Sequence, residues 1–292
     1  MSARWRIIDT GALDPFANMA LDEALLRGYE RYNSPPTLRI YGWKYPSLSL
    51  GFSQDPARDL DIEFCRKRSM PFVRRITGGG IILHASELTY SLVCSKEDLG
   101  IPSRIVSSYK IICSFLISFY KKLGIEAEFA CDDPEFKTSG ELSALCFAAK
   151  EKYDIVSNGR KIGGNAQKRS RGVIFQHGSI PFRFETETAS SFLRSKAPDT
   201  GEYEATCLED ILGQYVSAPE LSRTFIKAFE GSFNVETEAL RLSEAEEAIY
   251  RDLKALKYES VDWNYNRVDI TEHKDRVEWK EVSCGLGGSI RR

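Results

Sequence analysis

Asn158-Gly159 constrains the fold more tightly than any other step in this sequence. Both residues tolerate positive φ, as a type I′ turn requires, and they stand between Asp154-Ile155-Val156 and Arg160-Lys161-Ile162. Such a pair between short apolar-bearing runs is the strongest short-range hairpin signal, so the flanking stretches are expected to pair antiparallel. The hairpin puts Lys161 on a rigid element, just ahead of Gly163 and Gly164, where a backbone without Cβ atoms can approach a ligand closely.

Elements to receive such a hairpin are legible on both sides of it. Residues 5–9 read as an opening or edge strand, and Asp14-Pro15 starts a helix whose Met19, Leu21, Leu25, Tyr29 and Tyr32 follow an amphipathic spacing until Ser34-Pro35-Pro36 stops it. Residues 37–41 and 47–52 read as adjoining strands across a turn at 43–46. A short helix over 61–68 is followed by strands at 72–73, 81–83 and 88–94. Over 103–123, Ile105, Tyr109, Ile112, Leu116, Phe119 and Leu123 recur at spacings of four and three, which predicts a helix with one buried face. Strands at 125–129 and 172–180 and a long polar loop at 131–143 follow. From 185 onward the pattern turns helical, over 186–194, 208–212, 221–229 and 242–258, the last opening with Ser243 and Glu246 spaced as a capping box. The expected class is α/β (α+β) with a mixed or antiparallel sheet, residues 1–230 forming the main domain and 231–292 a small helical segment packed on it.

Composition excludes several functions. Lys and Arg number 40 against 42 Asp and Glu, so no global field draws the chain to nucleic acid or to an anionic membrane. No apolar run reaches the roughly 18 residues a membrane span needs, and the first residues lack the hydrophobic stretch of a signal peptide, so a cytoplasmic protein is expected. Seven scattered cysteines with no Cys-x-x-Cys pair argue against a disulfide framework and against a zinc site; most are expected as buried thiols.

Two constellations carry chemistry. The first is Arg74-Arg75-Ile76-Thr77-Gly78-Gly79-Gly80-Ile81-Ile82-Leu83-His84, a glycine loop between strands behind two arginines. It could bring N–H groups and guanidinium charge to a phosphate, or it could be a tight turn with exposed arginines. It lacks the Gly-Lys-Ser/Thr ending of a Walker loop. The second is Asn158-Gly159-Arg160-Lys161-Ile162-Gly163-Gly164-Asn165-Ala166-Gln167, followed by Gln176-His177-Gly178-Ser179. Its lysine could meet an acyl carbonyl, a phosphate or a thiolate, or it could be a solvated hairpin lysine.

Taken together, in this order and separation, the two constellations resemble the family of lipoate-protein ligases, octanoyltransferases of lipoate synthesis and biotin protein ligases. Met19-Ala20-Leu21-Asp22-Glu23-Ala24-Leu25-Leu26, the strand pair at 38–54 and Trp263-Asn264-Tyr265 extend the resemblance over most of the chain. It implies a mixed α/β catalytic domain, with mixed central sheets flanked by helices, and a Lys161 that orients the acyl group. Cys146-Phe147, a short polar insert and Tyr153-Asp154-Ile155-Val156 resemble the cysteine-bearing octanoyltransferases of bacteria such as bacilli.

That likeness implies that Cys146 takes octanoyl from acyl carrier protein as a thioester and yields it to a lysine of a lipoyl domain or glycine cleavage H protein. Lys161 would accept the thiol proton, and N–H groups near Gly163 to Asn165 would hold the oxyanion. Arg75, Thr77, Gly78, Gly79, Gly80, His84, Gly163, Gly164, Asn165, Ala166, His177 and Gly178 are implied as substrate-binding residues. No cofactor, no metal and a monomer are expected. Ala85 follows His84 where many relatives carry an acid, which leaves the partner of His84 open. Arg74 and Arg75 would clamp phosphate in a ligase; in a transferase they would support the loop or meet the acidic carrier. The rival readings are an ATP-dependent lipoate-protein ligase and a non-catalytic module that docks lipoyl domains or acyl carriers. A biotin transferase would leave Cys146 without a role.

Overall fold

In a computed structural model, residues 4–100, 105–133, 136, 151–170, 172–183, 190–194, 205–215 and 217–271 are described. Strand β1 (Arg4–Leu13) leads into helix α1 (Pro15–Tyr32), which Asp14 caps by accepting the Ala17 N–H at 2.8 Å, with Pro15 in the first turn. Strands β2 (Thr37–Trp43) and β3 (Ser47–Leu50), helices α2 (Pro56–Asp59) and α3 (Ile62–Lys67), and strands β4 (Phe72–Arg74), β5 (Ile82–His84) and β6 (Glu87–Ser95) come next. Helix α4 (Ile105–Lys122) precedes β7 (Glu128–Phe129), β8 (Ile155–Ser157), β9 (Arg160–Lys161), β10 (Gly164–Ser170) and β11 (Val173–Pro181). The chain continues through α5 (Leu208–Leu212), α6 (Ala218–Phe233), β12 (Glu236–Ala239), α7 (Glu244–Leu253), a π-helical turn at Lys254–Tyr258, and α8 (Val261–Asn266).

The large sheet runs β10-β11-β6-β2-β1-β12, parallel from β12 to β2 and antiparallel from β2 to β10, so it is mixed. Two smaller sheets, β4-β3-β5 and β7-β8-β9, complete the mixed α/β architecture expected from the sequence. On one face, α4 and α6 press Phe115, Phe119, Phe225 and Phe229 against Trp5, Leu38, Ile40, Tyr90 and Leu92. On the other, Met19, Ala24 and Leu25 of α1 meet Tyr41, Val73, Phe175 and Trp263. Because the sheet is covered on both faces, its central strands are buried almost throughout, including polar residues such as Arg39, Thr89, Ser91 and Gln176.

Several local expectations need correction. β2 and β3 do not pair with each other, because both edges of β2 are taken by β1 and β6; the turn after Trp43 instead carries β3 into the sheet with β4 and β5. β1 is not an edge strand, since β12 pairs along its other side; the short, polar Glu-Thr-Glu-Ala of β12 gives no strand signal. The stretch after residue 230 therefore contains a strand as well as helices. The strand expected at 125–129 shrinks to Glu128–Phe129. β10 was not anticipated, because Gly-Asn-Ala-Gln-Lys-Arg-Ser shows no apolar alternation and is recruited by register with β11. The loop at 131–143 falls largely outside the described residues, as does the first half of the helix expected at 186–194, whose described end leaves the helix at 192 and bridges Leu193 to Leu60.

The C-terminal elements are tied to the body by buried charge. Ser243 and Glu246 form the capping box, and Glu246 also receives Arg6 of β1 at 2.7 and 2.6 Å with both side chains buried. Among the described residues no helix is long and apolar enough to cross a membrane.

Candidate active site

The hairpin forms as its turn dictates. Asn158 and Gly159 have φ of 50° and 71°, and the register pairs Val156 with Lys161 and Ser157 with Arg160. The bland reading of Lys161 as a solvated lysine is wrong: it is buried, with Nζ 2.7 Å from Oδ2 of Asp154, itself buried. A buried ammonium needs such a partner to offset its desolvation. Sequence reasoning assigned Asp154 no role, although the signal was available. Once the turn pairs Val156 with Lys161, the residue two positions before Val156 shares the face of Lys161 as its diagonal neighbour.

Beyond Lys161, Ile162 is buried and Gly163 packs so closely that a Cβ would come within 2.9 Å of the Ser179 carbonyl oxygen and 3.2 Å of the Tyr120 hydroxyl. Gly164 and Asn165 open β10, facing Ser179 and Gly178. As β10 ends the sheet, its N–H groups alternate between the ladder and the open edge. Asn165 is held by Tyr90, whose hydroxyl donates to its Oδ1 at 2.7 Å and accepts from Gln176 Nε2 at 2.7 Å.

The glycine loop is built on buried arginines, not exposed ones. Arg74 donates to the carbonyls of Phe52, Gln54, Trp263 and Asn264 at 2.7–3.1 Å, so it welds the loop base to α8. Burial, with Arg267 nearby, brings its pKa down to about 10. Arg75 donates through Nη1 to the Ser49 carbonyl at 2.8 Å and hydroxyl at 2.7 Å, and through Nη2 to the Gly78 and Gly80 carbonyls at 3.0 Å each. Gly51 meets the loop from beneath; a Cβ there would overlap the Gly79 carbonyl oxygen.

Both histidines are buried and each faces a carboxylate that sequence reasoning missed. His84 Nδ1 lies 2.7 Å from Glu87 Oε1 and Nε2 lies 2.6 Å from Ser49 Oγ, while its ring stacks on Trp43 at 3.8 Å. The acid absent at Ala85 is thus supplied from Glu87. Burial would raise the Glu87 carboxyl, but His84 and Thr89 hold it below its ordinary value. His177 Nε2 lies 2.7 Å from Thr77 Oγ1 and Nδ1 lies 3.4 Å from Asp22 Oδ2. Burial pushes the His177 imidazole down, with Asp22 partly opposing. Burial would raise Asp22, yet Arg39 at 2.6 Å, with His177 and Ser91, holds it low. An acid such as Asp22 among apolar residues of a buried helix signals a polar cluster.

These groups surround a cleft of about 420 Å³, counting space open to solvent. Arg75, Gly78, Gly79, His84, Gly164, Asn165, Ala166, His177 and Gly178 line it, together with Met19, Tyr41, Trp43, Ile82, Thr89 and Ser179, which were not anticipated. Thr77, Gly80, Gly163 and Lys161 stand behind this lining: Thr77 holds His177, and Gly80 receives Arg75. Cys146 lies outside the described residues. Among the described residues, no group of three His, Cys, Asp or Glu is placed to hold a metal ion. The cleft combines an apolar wall for a chain with hydrogen-bonding groups for a polar head.

The family model for the lipoyl protein ligase A/B catalytic domain matches residues 14–230. Octanoyltransferase LipM of Geobacillus kaustophilus is 36% identical over 273 residues, spanning 90% of this chain and 98% of the relative. Octanoyltransferase LipM of Bacillus subtilis is 34% identical over the same shares of the two chains. Among solved structures, lipoate-protein ligase A bound with ATP superposes with a TM-score of 0.74 at 25% identity, covering 92% of this chain and 100% of its own. A bi-partite lipoate protein ligase of Thermoplasma acidophilum gives 0.71 at 22% identity, covering 92% and 98%, and shares the fold.

Proposed function

Because the chain belongs to the lipoyl protein ligase A/B catalytic domain family and is an octanoyltransferase of lipoate biosynthesis, as its likeness to curated relatives over 90% of its length supports, we propose the route its acyl group follows. Acyl carrier protein donates the octanoyl thioester. The Cys146 thiolate attacks the carbonyl, the carrier thiolate leaves and takes up a proton, and octanoyl rests on Cys146. A neutral lysine amine of a lipoyl domain then attacks, an amide forms as the nitrogen gives up a proton to solvent, and the Cys146 thiolate is released. The reaction takes place in the cytoplasm, on a monomer.

The observation that carries this reading is the buried Lys161–Asp154 pair, which Ile162 and Gly163 link to the cleft wall at Gly164. A cation fixed behind the cleft wall would favour thiolate over thiol at Cys146 and stabilise a developing oxyanion. Met19, Tyr41, Trp43, Ile82 and Ala166 offer the acyl chain an apolar wall, where each buried methylene contributes about 0.8 kcal/mol. Arg74 and Arg75 are engaged by main-chain carbonyls, which favours support of the loop over clamping of a nucleotide phosphate.

Incubation with octanoyl carrier protein in the absence of ATP, followed by mass spectrometry, tests the route. One octanoyl adduct on Cys146 is expected, and chase with a lipoyl domain should discharge it. No adduct, or full transfer by Cys146→Ser, rejects the thioester. ATP-dependent use of free lipoate would identify a ligase instead, and binding without turnover a docking module.

A further inference from the structure

We propose that Ser49 is a positioning residue for octanoyl transfer: its hydroxyl couples Arg75 to His84 and thereby sets the glycine-loop wall of the acyl cleft. Ser49 is fully buried in β3 and is not among the residues lining the cleft, so any effect it has on substrate must travel through its two partners. Those partners impose a direction on the hydrogen bonds. Arg75 can only donate, so Ser49 Oγ accepts from it at 2.7 Å, and we assign the hydroxyl proton to His84 Nε2 at 2.6 Å, the acceptor within its reach. Nε2 therefore accepts, the ring proton sits on Nδ1, and Nδ1 donates to Glu87 at 2.7 Å. Glu87 also receives Thr89, whose hydroxyl accepts from Trp43 Nε1 at 2.9 Å.

The result is a continuous chain of donors that converges on Glu87. One end is Trp43, stacked on His84 as one wall of the cleft. The other end is Arg75, whose Nη2 grips the Gly78 and Gly80 carbonyls and so holds the glycine-loop part of the lining. Three consecutive glycines have little conformational preference of their own, and Gly78 and Gly79 are exposed. External hydrogen bonds must define the loop, and Ser49 is where the bonds of the two parts meet. Without the hydroxyl, His84 Nε2 loses its donor and Arg75 Nη1 loses one of its acceptors.

The proposal rests on the octanoyl-transfer reading, and two independent measurements separate their fates. The first is kinetic. Ser49→Ala is expected to raise KM for octanoyl carrier protein about tenfold with kcat within about twofold, the loss expected when a charge-assisted hydrogen bond that shapes a binding wall is removed. Ser49→Thr, which restores the hydroxyl, should recover most of it. Arg75→Lys, which keeps the charge but cannot span Ser49 and both glycine carbonyls, should reproduce the rise even if Ser49→Ala folds poorly. The second is spectroscopic. Ring-nitrogen NMR of the three histidines, assigned with His84→Gln, should show His84 protonated on Nδ1, and Ser49→Ala should change its Nε2 signal and speed amide exchange across residues 76–81. An unchanged KM in Ser49→Ala, or a His84 protonated on Nε2 in the unsubstituted protein, overturns the proposal. If the unsubstituted protein transfers no octanoyl, the functional reading fails, and the NMR and exchange results alone decide the coupling.

Discussion

Lys161 Nζ lies 2.7 Å from Asp154 Oδ2, with 3% and 7% of the two side chains exposed, on diagonal positions of one hairpin face. Asp154→Asn would leave the buried ammonium without this compensating charge. We expect a loss of about 3 kcal/mol, read as a lower urea midpoint at unchanged m value. Acyl-enzyme formation should fall at least about tenfold in the same variant, since the cation is no longer held in place. A stable variant with normal transfer would mean that the pair has no part in positioning Lys161.

Gly51 behind the cleft, Gly178 in its lining and the exposed Gly78 should behave differently. A Cβ at Gly51 would overlap the Gly79 carbonyl, and one at Gly178 would overlap Asn165 Oδ1 and crowd Tyr90, whereas one at Gly78 meets nothing within 4 Å. Gly51→Ala and Gly178→Ala should each cost about 1–3 kcal/mol in thermal or chemical denaturation and impair transfer. Gly78→Ala should stay within about 0.5 kcal/mol of the parent.

Acid should dismantle the junction between α1 and the C-terminal elements. Burial would raise the Glu23 carboxyl, but Lys257 at 2.8 Å and Arg27 at 2.6 Å override it and hold the value at about 2, from an ordinary 4.5. The folded state thus binds this proton less readily than the unfolded chain. Its contribution, on the order of 3 kcal/mol, is complete above about pH 4.5 and is lost as pH falls toward about 2. Lys257→Met should move the acid-unfolding midpoint, followed by circular dichroism, to higher pH.

His177 should contribute a second, milder acid sensitivity. Its burial lowers the imidazole below the ordinary 6.5, so the unfolded chain takes up the proton first and stability declines as pH falls below about 6.5. Urea midpoints at about pH 7 and about pH 5.5 should differ less in His177→Gln than in the parent. An equal difference in both would place His177 outside the titration.

Arg74 predicts a dependence of the cleft on a distant segment. Asn264 Oδ1 accepts the Arg74 N–H at 2.8 Å, and Trp263 Nε1 donates to the Arg74 carbonyl at 3.0 Å. Asn264→Ala should cost about 1–3 kcal/mol by leaving that buried N–H unpaired, and the glycine loop should exchange its amides faster. Protection equal to the parent would show that α8 does not support the loop.

The sequence by itself determined what local chemistry can specify. Asn158-Gly159 sets its own turn and therefore the face Lys161 shares with Asp154. Asp14-Pro15 starts α1, Ser243 and Glu246 cap α7, and the spacing of Ile112, Leu116 and Phe119 buries one face of α4. The order of the two glycine-bearing motifs carried the family. Only the tertiary structure decided what depends on partners far along the chain. β10 and β12 have no strand pattern and exist because β11 and β1 offer open edges. Arg74 and Arg75 look like exposed charge until the carbonyls that surround them are assembled from residues 49–54, 78–80 and 263–264. Asp22 becomes the partner of His177 only when α1 and β11 converge, whereas Glu87 reaches His84 across the short turn from β5 into β6. Desolvation is the common cause: a buried charge must find its counterpart in space, and nothing in the linear spacing says which of many acids and carbonyls will be there.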